Sequence, residues 1–383
     1  MTVDQYTVTS LNDDGPGSLR WGIEHGANSV SFAVGGCIDL RSSIEVQKSV
    51  TIDAQTAPAP GITLRKADGV NSILGLIRIT AGEKITIRHL RLRPGDGIKH
   101  TSAALQIDGG NTITIEHCSL SWTHDNLAGV WQKRDVPDIH DIIFKYCLFA
   151  EPYADHPTGV AVAGERAYDE ENGRLLYEEG QRIRNVILWR CVFVHVSHRV
   201  PESYAGSSAG GVEVLNCLVY DWRPSVSGAL RNAWMDWRGN YYKPSEYSAL
   251  FHWRYEEYYD WLDSAFLEPP SLHVSGNYAE GILETPSDQW DYIRNHSQTG
   301  RPPLPRDYER LKPLHSHPEL DIIDPHKAYQ DIIDNAGAQP RDVIDRRLID
   351  DIKYGRAQKN LPANLGETIE GGWPDLTDLS TDV

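Results

Sequence analysis

The chain has 383 residues, of which 40% are hydrophobic and 24% are charged, so it can bury a large core and is not typical of a disordered protein. Its formal net charge of -17 argues against non-specific nucleic-acid binding, which needs a basic surface that neutralises phosphates. The sequence contains no apolar run of about 18 residues, so we expect no membrane span. An acidic polymer could bind only in a locally basic cleft.

The N-terminal region predicts a cap rather than an export signal. MTVDQYTVTS (1–10) lacks a basic stretch followed by an apolar one, so no signal peptide is visible, and the protein is expected to be cytoplasmic or to begin at a mature end. GSLRWGIEHGA (17–27) is expected to form a short helix that caps the first coil of the β-structure and shields its open edge.

A short motif recurs in the middle of the chain, with unequal gaps. TITIEHCSLSW (112–122), DIIFKYCLFAE (141–151), NVILWRCVFVH (185–195) and GVEVLNCLVYD (211–221) each combine an apolar alternation, a polar pair, a cysteine and a second apolar run. Unequal gaps suit a solenoid, because the strands of neighbouring coils must match whereas the turns can carry insertions. The sequence therefore predicts a single right-handed parallel β-helix over residues 1–280.

The cysteine of each copy is predicted to point into the solenoid and to stack on its counterpart one coil away. The five cysteines of the chain form no CxxC pair, so neither a zinc knuckle nor a disulfide framework is indicated. Small thiols pack well inside proteins, and asparagine at the same position suits a hydrogen-bonded amide ladder. By alternation, His117 and Ser119 would then point outward. The residues at this position are Cys118, Cys147, Cys191 and Cys217, with Leu90, Asn240 and Asn277 in further copies.

The segment between Cys147 and Cys191 is longer than a coil requires and is rich in charge and tyrosine. It is either a solvated loop or a cleft wall that carries Tyr168 or Tyr177 for stacking on sugars and cations such as Arg166. The sequence leaves both interpretations open.

Beyond about Gly281 the strand pattern fades into a Pro-rich, charged segment. We assign residues 281–383 to an extension that packs on the solenoid within the same domain. Inside it, HKAYQDIIDNAGA (326–338) predicts one short helix that stops at Gly337. The residues at helical spacing are Ala328, Ile332, Ile333 and Ala336.

Several motifs resemble, in their order along the chain, those of bacterial and fungal pectate lyase-like proteins. The resemblance covers nearly the whole chain and implies the same parallel β-helix fold. The motifs are LNDDGPGSLRWGI (11–23), FAVGGCIDL (32–40), TIDAQTAPAPGITL (51–64), IRHLRLRPGD (87–96), EHCSLSWTHDN (116–126), HRVP (198–201), NCLVYDW (216–222), GNYYKP (239–244) and AYQDIIDNAGAQPRDVIDRRLIDDI (328–352).

The resemblance also implies an activity, the calcium-assisted β-elimination of a polyuronate. In that reaction calcium and basic side chains neutralise the substrate carboxylate, and an arginine removes the proton beside it. Arg199 falls on the base arginine, and Asp125 falls on a calcium-binding carboxylate. Because the pKa of a free arginine is above about 12, such a base needs a strongly cationic setting.

Other positions depart from the family pattern. Carboxylates that would complete the calcium site and cations that would bind substrate are replaced. Calcium prefers about six to eight oxygen ligands, several of them carboxylates, so Asp125 alone does not make a calcium site. Calcium is kept as a candidate cofactor through Asp125 only. The departing positions are Thr101, Ala103, Asn126 and Gly129 for the calcium ligands, and Thr158, Glu202 and Tyr204 for the substrate cations.

Histidines cluster around the same expected cleft, and a histidine titrates near neutral pH, which makes it a better general base than an arginine. One hypothesis is therefore a calcium-independent lyase acting on an acidic, uronate-containing polysaccharide. His124 or His198 would be the base, and Arg199 would bind the substrate carboxylate. The further residues expected to bind substrate are His100, His156, His195, Arg166 and Lys133.

Two other functions stay open. A glycoside hydrolase on this solenoid would need two carboxylates across the cleft, for which Asp125 with Glu151 or Asp155 is the candidate pair. A non-catalytic glycan-binding or structural module would account directly for the replaced site residues. The cleft histidines lack the HxH or HExxH spacing of zinc sites, and the one HxH pair, His315 and His317, lies in the Pro-rich segment.

The expected partner is an acidic polysaccharide or oligosaccharide, bound by a monomer, with no nucleic acid and no membrane. The resemblance implies secretion, whereas the N-terminal residues leave a cytoplasmic location open.

Overall fold

The computed structural model describes residues 4–71, 73–96, 103–169, 171–257, 268–284, 288–314 and 317–374. Within these ranges the chain winds into successive coils, and each full coil contributes one strand to each of three long parallel sheets. Apolar and polar residues alternate along many strands because only one face of each strand points into the solenoid. The parallel β-helix predicted from the repeat is confirmed.

We name the three sheets in the order in which the chain visits them. Sheet A consists of Gln5–Val8, Ser29–Phe32, Val50–Asp53, Glu83–Arg88, Asn111–Glu116, Ile139–Lys145, Ile183–Trp189, Val212–Leu215, Trp234–Arg238 and Ser271–Ser275. Sheet B consists of Gly36–Leu40, Ile62–Lys66, Leu90–Leu92, Ser119–Ser121, Leu148–Ala150, Val192–Val194, Leu218–Tyr220, Tyr241–Lys243 and Tyr278–Ala279. Sheet C consists of Ile44–Val46, Ile77–Ile79, Leu105–Ile107, Ala128–Gln132, Val160–Gly164, Glu202–Ser203, Ser227–Leu230, Trp253–Glu256 and Ile293–Asn295.

The cysteine position forms the predicted internal ladder. The Cys191 thiol donates to the Phe144 carbonyl of the preceding coil at 3.3 Å. Asn240 continues the ladder, since its side chain donates to Val214 O at 2.9 Å and accepts from Cys217 N at 2.8 Å. Burial raises the pKa of the Cys191 thiol, which therefore stays neutral in the core. The fully buried cysteines are Cys118, Cys147, Cys191 and Cys217.

His117 and Ser119 point away from the interior, as the alternation predicts, but C-terminal residues cover them. His117 Nδ1 lies 2.9 Å from Asn335 O. Ser119 is fully buried and donates to Asp345 Oδ2 at 2.8 Å. The outward face of sheet B is therefore an internal contact surface here.

In the described ranges, three α-helices flank the solenoid. Helix α1, Leu19–Glu24, is capped by Ser18 and contacts the first strands of sheet A, as predicted. Helix α2, Pro325–Asn335, ends before Gly337, also as predicted. In the described part of the chain, no helix is long and apolar enough to cross a membrane. Single 3-10 turns occur at Ala54–Thr56, Trp290–Tyr292, Arg306–Tyr308 and Leu365–Glu367.

A second C-terminal helix corrects the expectation of one. Helix α3, Val343–Tyr354, begins after its cap Asp342 and ends at Gly355, whose φ of +68° is accessible to glycine. Both α2 and α3 pack on the outward face of sheet B through one apolar cluster. The solenoid itself continues past residue 280, because Ile293–Asn295 completes sheet C.

The long insertion is structured in part. It provides the sheet C strand Val160–Gly164 and then an antiparallel hairpin of Ala167–Tyr168 and Leu175–Tyr177. The rings of Tyr168 and Tyr177 are 36% and 43% exposed. Arg166 lies at the base of this hairpin and faces a cleft on sheet C.

Candidate functional site

Three successive turns from sheet B to sheet C bring the site together. Asp125 lies in the turn before Ala128–Gln132, His156 lies in the equivalent turn one coil on, and Arg199 lies in the turn after that. Strands of adjacent coils are about 4.8 Å apart, so residues at equivalent turn positions become neighbours although they are distant in sequence.

Asp125 is the centre of the cluster. Its Oδ1 lies 3.0 Å from His156 Nδ1 and 3.6 Å from an Arg199 nitrogen. Thr158 donates to the same oxygen at 3.4 Å. The His156 side chain is 37% exposed. A carboxylate at Nδ1 orients the ring, so Nε2 is the nitrogen left for a ligand.

Arg199 is held in its turn by two further contacts. It donates to Asn126 Oδ1 at 2.7 Å, and its Nε lies 3.4 Å from Glu202 Oε1. Carboxylates on two sides stabilise the guanidinium as a cation, which can bind an anion but cannot accept a proton. This setting is the opposite of the cationic one that an arginine base needs.

Glu202 is nearly fully buried behind the cleft and faces one imidazole and two guanidinium groups. His198 Nε2 and an Arg254 nitrogen each lie 3.2 Å from its Oε2. Burial opposes the ionisation of Glu202, yet His198, Arg199 and Arg254 together hold its pKa below its usual value. An Arg254 nitrogen also lies 2.8 Å from His198 Nε2, so that nitrogen is already engaged.

Two adjoining cavities on the outward face of sheet C form a cleft. The first has a volume of about 430 Å³ and includes the ring of Trp131, which is 40% exposed. The second has a volume of about 240 Å³, shares Trp131 and Arg199 with the first, and extends to Arg166 and Tyr204. The cleft therefore offers an aromatic face for a sugar ring and cations for an acidic group. The first cavity is also lined by Leu74, Arg78, Gln106, Asp108, Lys133 and His156.

The floor of the first cavity does not fit a calcium ion. A Cβ added at Gly129 would lie 2.6 Å from Gln106 Oε1, so Gln106 occupies the space of a side chain there. Asp108 accepts from Gln106 at 2.8 Å and from Arg78 at 2.6 Å, and Asp125 faces the imidazole of His156 and the guanidinium of Arg199. Calcium needs several oxygen ligands free of such donors. Among the described residues, no three His, Cys, Asp or Glu side chains are grouped to hold a metal.

His124 lies behind the cleft rather than in it. Its Nδ1 is 3.0 Å from both carboxylate oxygens of Asp155, and its ring lies 4.6 Å from that of Tyr153. The side chain is only 10% exposed, so a substrate proton has little access to it. The arrangement orders the turn and does not favour the role of base expected of His124.

His195 and Glu151 lie beneath α3. His195 is 1% exposed, and its Nδ1 lies 2.8 Å from Asp221 Oδ2. Burial opposes its protonation, but Asp221 and Asp351 raise its pKa. Glu151 is fully buried, and Arg347 donates to its two oxygens at 2.7 and 2.8 Å. These positions do not fit substrate binding by His195 or a hydrolase pair that includes Glu151.

Of the remaining predicted residues, two line the cleft. Lys133 is exposed in the lining of the first cavity, and Arg166 lines the second, with its Nε 3.3 Å from the buried Glu178. His100 and His315 lie outside the described residues.

Sequence reasoning named Gly129 and Glu202 only as positions that depart from the family pattern, and it missed Gln106 and Ala161 on the outward face of sheet C. Gln106, Gly129, Ala161 and Glu202 stand in register on consecutive strands and line the cleft. The signal that could identify them is the alternation of inward and outward residues along each strand, because all four occupy outward positions. The strands of sheet C are short and follow turns of unequal length, so their bounds could not be located from the repeat.

Together these features define an elongated parallel β-helix protein with a cleft that combines arginine, histidine and tryptophan along one sheet. No family model matches the sequence. A stretch of 83 residues is 43% identical to a probable pectate lyase C of Aspergillus terreus and covers 20% of each chain. A stretch of 61 residues is 49% identical to a probable pectate lyase C of Emericella nidulans, covering 16% of this chain and 14% of the relative. The chain thus spans about a fifth of the length of the first of these relatives.

Two solved structures share the fold. Jun a 1, the major allergen from cedar pollen, is 17% identical, with a TM-score of 0.54 over 88% of both chains. The pectate lyase pelN from Paenibacillus sp. 0602 is 11% identical, with a TM-score of 0.50 over 88% of this chain and 91% of that one. These structures support the fold, and with the fungal relatives they confirm the resemblance to pectate lyase-like proteins that the motifs indicate.

Proposed function

We propose that this protein is a lyase that cleaves an acidic, uronate-containing polysaccharide by β-elimination without the usual calcium site. The observation that carries the proposal is the 3.0 Å pair of His156 and Asp125, which stands beside Arg199 in the cleft. The similarity of part of the chain to proteins named pectate lyase supports the reaction class.

His156 is the proposed general base. Its Nε2 removes the proton from the carbon next to the substrate carboxylate, and Asp125 stabilises the imidazolium that forms. Unlike His124, His156 is accessible from the cleft, and unlike His198 its ring is not bonded to an arginine. This choice replaces the two bases expected from the sequence.

Arg199 binds the substrate carboxylate in this proposal. Its positive charge, with that of Lys133 at the rim, stabilises the negative charge that develops when the proton leaves. The carbon–carbon double bond forms as the bond to the glycosidic oxygen breaks, and the imidazolium returns the proton to that leaving oxygen. Trp131 supplies a face on which the sugar ring can stack.

The first prediction concerns turnover of polygalacturonate, followed by the ultraviolet absorbance of unsaturated uronate ends. We expect the wild-type protein to form this product equally well with added calcium and with a chelator. His156→Ala should lower kcat by roughly 10²- to 10⁴-fold, the usual contribution of a general base. Arg199→Gln should lower kcat/KM, because the carboxylate loses its cation.

His140→Ala is the matched control, because His140 pairs with Asp141 on sheet A, away from the cleft. It should leave turnover unchanged. Product that appears only with calcium would contradict the calcium-independent mechanism. New reducing ends without unsaturation would indicate a hydrolase, and binding without any product would indicate a glycan-binding module.

A further inference from the structure

A second group of cations lies farther along the outward face of sheet C. Arg254 and Arg294 occupy paired positions on the last two strands of the sheet. His252 and His296 stand at the ends of the same strands, and Arg301 lies in the turn that follows. We call Arg294, Arg301, His252 and His296 the distal cluster.

The two imidazoles of the distal cluster face each other. Their Nε2 atoms are 2.9 Å apart and their ring centroids are 5.0 Å apart. Because two protonated rings would repel at this distance, at most one proton is shared between the facing nitrogens. Burial, the neighbouring ring and the guanidinium of Arg301 lower the pKa of His296 to about 4. The surroundings of the rings are thus positive even while both rings are neutral.

Within the part of the chain that the structure describes, the guanidinium groups of the distal cluster have no carboxylate partners. Among the described residues, neither Arg294 nor Arg301 belongs to an ion pair, whereas Arg254 pairs with Glu202 and Glu256. Arg301 is exposed and Arg294 is half-buried, so both can be reached from solvent. Two guanidinium groups without carboxylate partners, in a chain of net charge -17, form a local site of attraction for an anion.

The distal cluster is continuous with the cleft. Glu202, Gly228, Arg254 and Arg294 are in register on four consecutive strands of sheet C. Three strand spacings, about 14 Å, therefore separate Glu202 from Arg294. Gly228 has no side chain, so nothing projects from the sheet at the position between Glu202 and Arg254. The side chain of Arg254 links them, since it contacts His198 next to Glu202.

We propose that Arg294 and Arg301, backed by the His252–His296 pair, form a distal subsite that binds a carboxylate of a long uronate chain. The identity of the ligand rests on the proposed function. A guanidinium presents parallel N–H donors that match a carboxylate, which favours this group over a neutral sugar hydroxyl. A chain bound at Arg199, which contacts Glu202, must extend from Glu202 about 14 Å along the sheet to reach the subsite, so short oligomers cannot occupy both.

Calorimetric titration with dimeric and octameric galacturonate tests the subsite. The titrations use the His156→Ala protein, so that turnover does not interfere. We expect the added double substitution Arg294→Gln with Arg301→Gln to weaken binding of the octamer about tenfold, the effect of losing a charged contact, and to leave the dimer unchanged. The control double substitution Lys327→Gln with Lys359→Gln removes two exposed charges elsewhere and should change neither affinity.

The outcomes separate the subsite from the proposed function. Equal weakening for dimer and octamer, or no weakening for either, would overturn the distal subsite while the proposed function stands. If neither oligomer binds even before the arginines are replaced, the uronate ligand is wrong and the subsite falls with it. Unchanged melting temperatures of the variants would show that a lost affinity does not come from unfolding.

Discussion

At the scale of single residues, members of the internal ladder differ in the number of hydrogen bonds that they make. The Cys191 thiol has one hydrogen bond to a neighbouring coil and one weaker contact within its own turn. Asn240 donates to Val214 and Asn277 and accepts from the backbone N–H of Cys217. Removing the amide leaves a buried backbone N–H without its partner, whereas removing the thiol mainly leaves a small void.

We therefore predict that Asn240→Ala destabilises the protein more than Cys191→Ala. Each buried polar group left unpaired costs roughly 1–3 kcal/mol, whereas a thiol is a weak donor. Urea unfolding, compared at equal m-values, measures the difference in the free energy of unfolding. Equal losses from the two substitutions would show that the ladder depends on packing and not on amide hydrogen bonds.

At the scale of elements, α3 is joined to the solenoid through buried charges as well as apolar contacts. Arg347 of α3 binds Glu151 in the turn after Leu148–Ala150. At the start of α3, Arg93 donates to Asp342 at 2.6 Å and to Asp345 at 2.8 Å. Each of these buried charged groups has few other polar partners within reach in the interior. The ion pairs therefore specify the position at which α3 docks.

The substitution Arg347→Met should lower the free energy of unfolding by about 3–5 kcal/mol at neutral pH. The reason is that Glu151 would keep a buried charge without its partner. Adding Glu151→Gln should recover the part of the loss that comes from Glu151, because its buried charge is then removed, whereas Asp351 and Glu370 still lack their contacts with Arg347. Urea unfolding of both variants measures this, and a double variant no more stable than the single one would contradict it.

Acid unfolding gives the same pair an independent test with a definite sign. Burial opposes the ionisation of Glu151, but Arg347 holds its pKa at about 2, below the ordinary value of 4.5. The pair therefore stabilises the fold fully above about pH 4.5, and this contribution is lost as the pH falls through about 2. The double variant should lack this part of the acid dependence.

At the scale of the whole molecule, helices α2 and α3, which we call the C-terminal arm, cover the outward face of sheet B. The outward face of sheet B carries large apolar side chains that α2 and α3 cover, together with buried arginines. An exposed face of this kind would be a large apolar patch, which soluble monomers rarely present. The covered side chains of the solenoid include Trp122, Leu148, Val192, Leu218 and Tyr241.

We predict that deleting residues 325–383 makes the chain aggregate. Loss of the arm would expose both the apolar cluster and the unpaired Arg93, so the truncated chain should aggregate. Size-exclusion chromatography and circular dichroism of the full-length and truncated proteins test this. A truncated protein that elutes without aggregation and melts at the same temperature as the full-length protein would show that the solenoid is stable without residues 325–383.

The candidate site was predictable from sequence in part. The motifs located Asp125 and Arg199, because they carry a turn whose residue types resemble a known pattern. They did not assign His156 its partner, since a histidine 31 positions from Asp125 meets it only when two coils stack. The register positions of sheet C, and with them the place of Glu202 in the cleft and the distal cluster, required the strand bounds.

The sequence by itself determined the solenoid, because inward apolar residues repeat along the coils and one inward position is cysteine or asparagine in six of them. Only the tertiary structure decided which polar turn residues face the cleft. His156 and His195 occupy turns of the same kind, yet the first lies open in the cleft and the second is sealed against Asp221 by α3. The difference is set by a helix more than a hundred residues further along the chain, and no local pattern encodes where that helix docks.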